Sequence, residues 1–163
     1  QASIRSDFIE KIGLITQAEG LPRIAGRVFG MLVFDGEVVS FGDLSTRLQV
    51  SRASISTSIR LLEERGLVKR IAKPGERQDF FQLAPDPYVT MLHATRKRMR
   101  STQEEIAETI SSLPPEADAA KRLSAYADFY GSIDTGLGKA LEELRPSTAT
   151  GQQLKASKDG SNE

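Results

Sequence analysis

The chain has 163 residues, of which 39% are apolar and 27% charged, with 22 basic and 22 acidic side chains and no cysteine. This composition describes one compact domain, or one domain with an appended helical arm, and excludes a disordered or fibrous chain. It also excludes disulfides, thiolate metal sites and thiol redox sensing, while the absence of any apolar run near the roughly 18 residues of a membrane span and of a signal-peptide layout at Gln1–Arg5 makes a soluble, cytoplasmic protein the expectation.

Ile4, Phe8, Ile12 and Ile15 recur at helical spacing, which predicts an amphipathic helix over residues 1–20 that needs a partner surface. Pro22 suits a helix start, and Leu21, Ile24, Val28, Met31 and Leu32 continue the apolar face of a second helix as far as Asp35 and Gly36. Gly26 and Gly30 lie one turn apart on that helix. They lower helix propensity, so close packing against them is expected.

After a short extended piece at Val38 and Val39, Ser40 and Asp43 stand at capping-box spacing, with Val39 and Leu44 in the staple positions. The third helix buries Leu44 and Leu48. Gln49 and Val50 then turn into Ser51, which caps a fourth helix from about Arg52 to Arg65 that stops at Gly66. Two helices joined by so short a turn, the second buried through Ile55, Ile59 and Leu62, form a helix-turn-helix pattern. The free face of the second carries Arg52, Ser56, Thr57 and Arg60, with Ser51 and Ser54 at its N-terminal end. Small hydroxylic side chains let a helix sit deep in a groove, and arginines pair with guanine edges or phosphates.

Leu67–Ile71 and Gln78–Leu83 read as two strands around a Pro74-Gly75 turn, a β-hairpin whose tip carries Lys73 and Arg77. Directly behind a recognition helix, such a hairpin is a wing able to reach the DNA backbone or minor groove. The charge distribution agrees. Although the formal net charge is zero, the segment from Arg47 to Arg77 holds eight basic residues against three acidic ones, and the C-terminal half is richer in acids.

Asp86 and Pro87 open a long helix with a seam of Tyr88, Leu92, Thr95, Met99, Thr102, Ile106, Thr109 and Leu113, alternating steps of four and three as in a coiled coil. Pro114 and Pro115 break it. A last helix runs to Pro146 through Ala120, Leu123, Ala127, Tyr130, Leu137, Leu141 and Leu144, and residues 146–163 are polar enough to predict a disordered tail. The seam suits either a helical hairpin within one chain or a contact between chains. Three amphipathic helices outside a small core favour a homodimer.

The stretch from Gly20 to Leu83, about two fifths of the chain, resembles the MarR superfamily of winged-helix regulators, and within it the GbsR-like branch. The likeness is carried by Gly20–Arg27 (GLPRIAGR), Val50–Ser56 (VSRASIS), Leu61–Val68 (LLEERGLV) and Pro74–Arg77 (PGER). The resemblance implies a homodimer with intertwined terminal helices, binding to a palindromic DNA operator through two recognition helices and two wings, repression as the sense of control, and a small-molecule effector. For an effector in a branch related to choline-sensing regulators, Tyr126, Phe129 and Tyr130 are the candidate aromatic cage, although dimer-core packing is the commoner role of such a cluster.

The expected fold is therefore mainly α with a small β-hairpin wing. A dimerisation helix spans 1–20, a winged helix-turn-helix domain 21–85, and a helical dimerisation and effector region 86–145, followed by the tail. Arg23 and Arg27 suit either phosphate contacts or internal ion pairs. Thr135–Ala140 resembles a phosphate loop but has Ile133 where that motif needs glycine and Ala140 where it needs a hydroxyl. No nucleophile, acid-base pair or metal cluster stands out, so neither enzyme activity nor a cofactor or metal is expected. The alternative to DNA binding is a winged-helix protein assembly module with a solvated basic face.

Overall fold

The computed structural model describes the backbone of residues 2–159 and the side chains of residues 3–144. The tail expected over 146–163 lies outside the described side chains. The chain forms two units, Gln1–Met91 and Leu92–Glu163. Among the described residues no helix is long and apolar enough to cross a membrane.

In the first unit, α1 (Ala2–Ala18) runs antiparallel to α2 (Arg23–Asp35). The two glycines flagged by the sequence explain how close they come. A Cβ on Gly26 would collide with the Thr16 hydroxyl and stand 3.0 Å from the Gly13 Cα, and one on Gly30 would meet the Ile12 side chain at 3.1 Å. Thr16 turns its hydroxyl back onto the Ile12 carbonyl at 2.7 Å, which satisfies it in this narrow space. Ion pairs link the two helices at both ends of α2: Arg5 makes a bidentate contact with Asp35, 2.7 Å per arm, and Glu10 meets Arg27 at 2.7 Å and the more exposed Arg23 at 2.9 Å. The Arg5 hydrogen bonds hold the Asp35 carboxyl below its ordinary range.

α2 ends at Gly36 in the left-handed conformation (φ 64°), and the chain passes through β1 (Val39–Ser40) into α3 (Phe41–Leu48) and α4 (Arg52–Glu64). Both expected caps form. Ser40 Oγ accepts from the Asp43 N–H and Ser51 Oγ from the Ser54 N–H, each at 3.1 Å. Between these helices Gln49 adopts φ 55°, and the Val50 N–H closes onto the Ser45 carbonyl while the Ser45 hydroxyl donates to that of Val50.

The sheet orders its strands β1-β3-β2, with β2 (Val68–Ile71) and β1 both antiparallel to β3 (Phe80–Leu83). The sequence predicted the β2-β3 hairpin; it did not predict that β1 would pair Val39 with Phe81 and Ser40 with Phe80. One core joins these elements: Val28, Met31 and Leu32 of α2, Leu44 of α3, Ile55, Ile59 and Leu62 of α4 and Phe81 of β3 are all buried. Gly66, at φ 73°, turns the chain out of α4, and a Cβ there would stand 2.8 Å from the Thr90 methyl in the first turn of α5 (Pro87–Ser111).

In the second unit, α5 continues and α6 (Asp118–Asp159) returns antiparallel to it, past Pro146, where the sequence placed a helix end. Arg96 and Arg100 of α5 share Asp134 of α6 at 2.7 Å and 3.1 Å. The expected seam residues Leu92, Thr95, Met99, Thr102 and Ile106 are half-buried, and no described residue of α5 is fully buried.

The α1-α2 contact is testable. Gly26→Ala adds one methyl where there is no space, and overpacking of this kind costs about 1–3 kcal/mol. The melting temperature of the variant should fall accordingly, whereas Gly136→Ala, inside α6 with nothing within 4 Å of its added Cβ, should raise it slightly, because alanine is favoured over glycine in a helix interior by about 0.5–1 kcal/mol.

Candidate nucleic-acid interface

α4 owes its orientation to its inner stripe. Ile55, Ile59 and Leu62 are each no more than 1% exposed, so the helix cannot rotate without bringing apolar surface into water. The opposite face is thereby committed to solvent. Arg52, Thr57 and Arg60 are exposed, and Ser54 and Ser56 are half-buried beside them.

The predicted site residues differ in how free they are. The Ser51 hydroxyl is occupied in capping, lying 2.9 Å from Ser54 Oγ as well as accepting the Ser54 N–H. Thr57, although exposed, donates its hydroxyl to the Ala53 carbonyl at 3.1 Å. Arg52 stacks on the Phe41 ring, with its guanidinium carbon 4.8 Å from the centroid. Arg60 is exposed and has no ion pair among the described residues. In the wing, the Lys73 ammonium lies 4.1 Å from the centroid of Phe80, whereas Arg77 is exposed and, like Arg60, without an ion pair among the described residues.

The wing is tied to the helix pair by contacts that link distant parts of the sequence. The Gln78 side-chain oxygen accepts the Gly42 N–H at 3.1 Å, and the Phe41 N–H donates to the Asp79 carbonyl at 3.0 Å, so the root of the hairpin grips the start of α3. Arg70 of β2 bridges Glu63 of α4 at 2.9 Å and Asp79 at 2.8 Å, with its guanidinium 5.3 Å from the Phe81 centroid. Gln78, Asp79 and Phe41 are the residues that sequence reasoning missed, because none carries a local signal of its distant partner.

Several of the basic side chains between Arg47 and Arg77 are already paired. Arg70 is neutralised by two carboxylates, and Arg47 is engaged by Glu37, with Asp35 and Asp43 each 3.9 Å away. Glu63 is consumed in return. The basic surface that remains includes Arg52, Arg60, Lys69, Lys73 and Arg77.

A three-helix core, a tight turn between α3 and α4, an outward arginine on the second of these and a basic hairpin tied to both make a winged helix-turn-helix. A family model described as the MarR family matches residues 19–79. The HTH-type transcriptional regulator MmpR5 of Mycobacterium tuberculosis is 31% identical over 142 residues, which cover 83% of this chain and 83% of that protein. The chain belongs to the MarR family. A crystal structure of a transcriptional regulator superposes on this MarR-family chain with a TM-score of 0.76 at 27% identity, covering 87% of this chain and 98% of the other. The HTH-type transcriptional repressor OpcR of Bacillus subtilis is 25% identical over 85 residues, 52% of this chain and 46% of that protein. The chain is thus a winged-helix, DNA-binding transcriptional regulator and not an enzyme.

Tyr126, Phe129 and Tyr130 belong to α6, in the second unit. The ring centroids of Tyr126 and Tyr130 are 5.0 Å apart and those of Phe129 and Tyr130 5.5 Å, both pairs edge to face, and the two tyrosine hydroxyls lie 2.8 Å from each other. That hydroxyl pairing raises the Tyr130 pKa above its ordinary value.

The Arg70 bridge generates a prediction. Its side chain is half exposed, so its ion pairs contribute only on the order of 1 kcal/mol to global stability. Arg70→Met should therefore barely shift the melting temperature, yet amide exchange at Gly42 and Phe41 should quicken as the wing root loosens. Unchanged exchange would show that the bridge does not hold the wing.

Proposed function

We propose that the chain acts as a homodimeric repressor of the GbsR-like branch, seating one α4 from each subunit in successive major grooves of a palindromic operator, with each wing on the adjacent backbone or minor groove. The observation that carries this reading is the face of α4 opposite Ile55, Ile59 and Leu62. There Arg60 stands exposed and unpaired among the described residues, flanked by Ser56 and Thr57. A long cation beside small hydroxylic neighbours suits a helix that enters a groove and reads a guanine edge. Ser51 and Ser54 position the N-terminal turn, Arg52 reaches the backbone from its stack on Phe41, and Lys73 and Arg77 extend the contact along the wing. Repression is supported by the likeness to a relative named as a repressor.

The dimer is supported by apolar side chains that one chain leaves in water. Ile4, Leu14, Ile15 and Phe34 are 65%, 53%, 47% and 44% exposed on the α1-α2 pair, and Tyr126 and Phe129 are 49% and 56% exposed on α6. Two half-sites about one helical turn, or a multiple of it, apart would match the twofold. Ring-on-ring contact at 5.0 Å and 5.5 Å fills the space that a cation cage needs, so the Tyr126, Phe129 and Tyr130 group is better suited to packing against a second subunit than to holding a quaternary ammonium effector.

Selection from random duplexes followed by gel shift tests the DNA contact. Arg60→Ala should weaken binding to the selected site by about 1–3 kcal/mol and relax the preference at one base pair, and Arg77→Gln should lower the salt slope by about one while keeping the preference. Binding that ignores both substitutions would remove α4 and the wing from the interface. Sedimentation should give a dimer at micromolar concentration; a monomer there would defeat the two-half-site arrangement.

A further inference from the structure

We propose that Arg23 is a DNA-backbone contact held in reserve by Glu10, an inference that rests on α4 being the groove-reading helix. Arg23 opens α2, and with Pro22 and Ile24 it lines a groove whose other wall is Ala53, Ser54, Thr57 and Ser58 of α4. At about 100° per residue, Ser54 stands on one flank of the outward face of α4, with the buried Ser58 one turn further on beneath it, and Arg52 and Glu63 stand on the other flank. The wing approaches the second flank, through the Arg70-Glu63 bridge and through Gln78 at the start of α3, where Arg52 stacks on Phe41. A helix of 10–12 Å diameter fills a major groove about 12 Å wide, so a phosphate strand runs along each flank. The wing serves one strand. Arg23 is the cation placed for the other.

The ion pair that occupies Arg23 in the free protein is built to be exchanged. The Arg23 and Glu10 side chains are 50% and 42% exposed, so their contact at 2.9 Å is heavily screened. Glu10 also faces Arg27, which is only 21% exposed and is anchored in addition on the Leu48 carbonyl at 3.2 Å. When Arg23 turns to a phosphate, Glu10 keeps Arg27 and no carboxylate is left alone. Partial burial acts to raise the Glu10 carboxyl, and the two arginines outweigh it, so it sits below its ordinary range and remains charged as a competitor at neutral pH.

The test uses the full chain on a selected operator and on a scrambled duplex of equal length, across a salt series. Arg23→Gln should weaken binding by the same several-fold factor on both duplexes and reduce the salt slope by about 0.9, the share of one phosphate. Arg23→Lys should retain the slope. Glu10→Gln should tighten binding roughly twofold to fivefold by removing the competitor, and this gain should vanish in the double variant Glu10→Gln/Arg23→Gln. A wild-type slope in Arg23→Gln overturns the inference, as does a Glu10→Gln gain that survives without Arg23. Arg60→Ala on the same duplexes separates the two levels. If Arg60 matters and Arg23 does not, only this inference fails; if neither matters, α4 is not the reading helix.

Discussion

The burial of the inner stripe of α4 is the constraint on which the rest depends. Ile55, Ile59 and Leu62 meet a core built by α2, α3 and the sheet, and rotating the helix by one residue would place a serine or an arginine among Val28, Met31 and Leu32. Burying an unpartnered polar group costs more than any exposed ion pair returns. The outward set is therefore a consequence of packing, and the chemistry at the surface could be chosen independently of it.

Around this fixed helix the molecule places contacts of two strengths. Apolar side chains and capped helix ends hold α2, α3 and α4 together, while half-exposed ion pairs such as Arg70 with Glu63 and Asp79, or Arg23 with Glu10, secure the periphery. Salt does not screen the first kind, and it weakens the second. A DNA-binding surface benefits from this division, because the groups that must exchange partners on meeting a polyanion are those whose existing partners are cheapest to leave.

Much of this was legible in the sequence because it is local. Ser40 and Asp43, Ser51, Gly36 and Gly66 announce helix ends through backbone chemistry within a few residues, and the apolar spacing of α4 names its buried side without knowledge of what covers it. Gly26 and Gly30 signalled a close neighbour, although only the folded chain identifies it as Ile12, Gly13 and Thr16. What could not be read was set by long-range partners. The pairing of Val39 with Phe81 joins residues about forty positions apart. Counting charges from Arg47 to Arg77 could not distinguish Arg60, which is unpaired among the described residues, from Arg70, which is bound on two sides. The same blindness hid the ion pair of Arg23 with Glu10, which joins residues of two different helices.

The turn at Gly66 has a mechanical implication. With the Thr90 methyl occupying the space a Cβ would need, the end of α4 and the first turn of α5 touch without slack. Close-packed protein has low compressibility, so a sideways push on the start of α5 reaches the end of α4 as displacement and is not absorbed by an intervening void. Glycine at this position works as a bearing, admitting the left-handed turn while keeping the two helices in steric register.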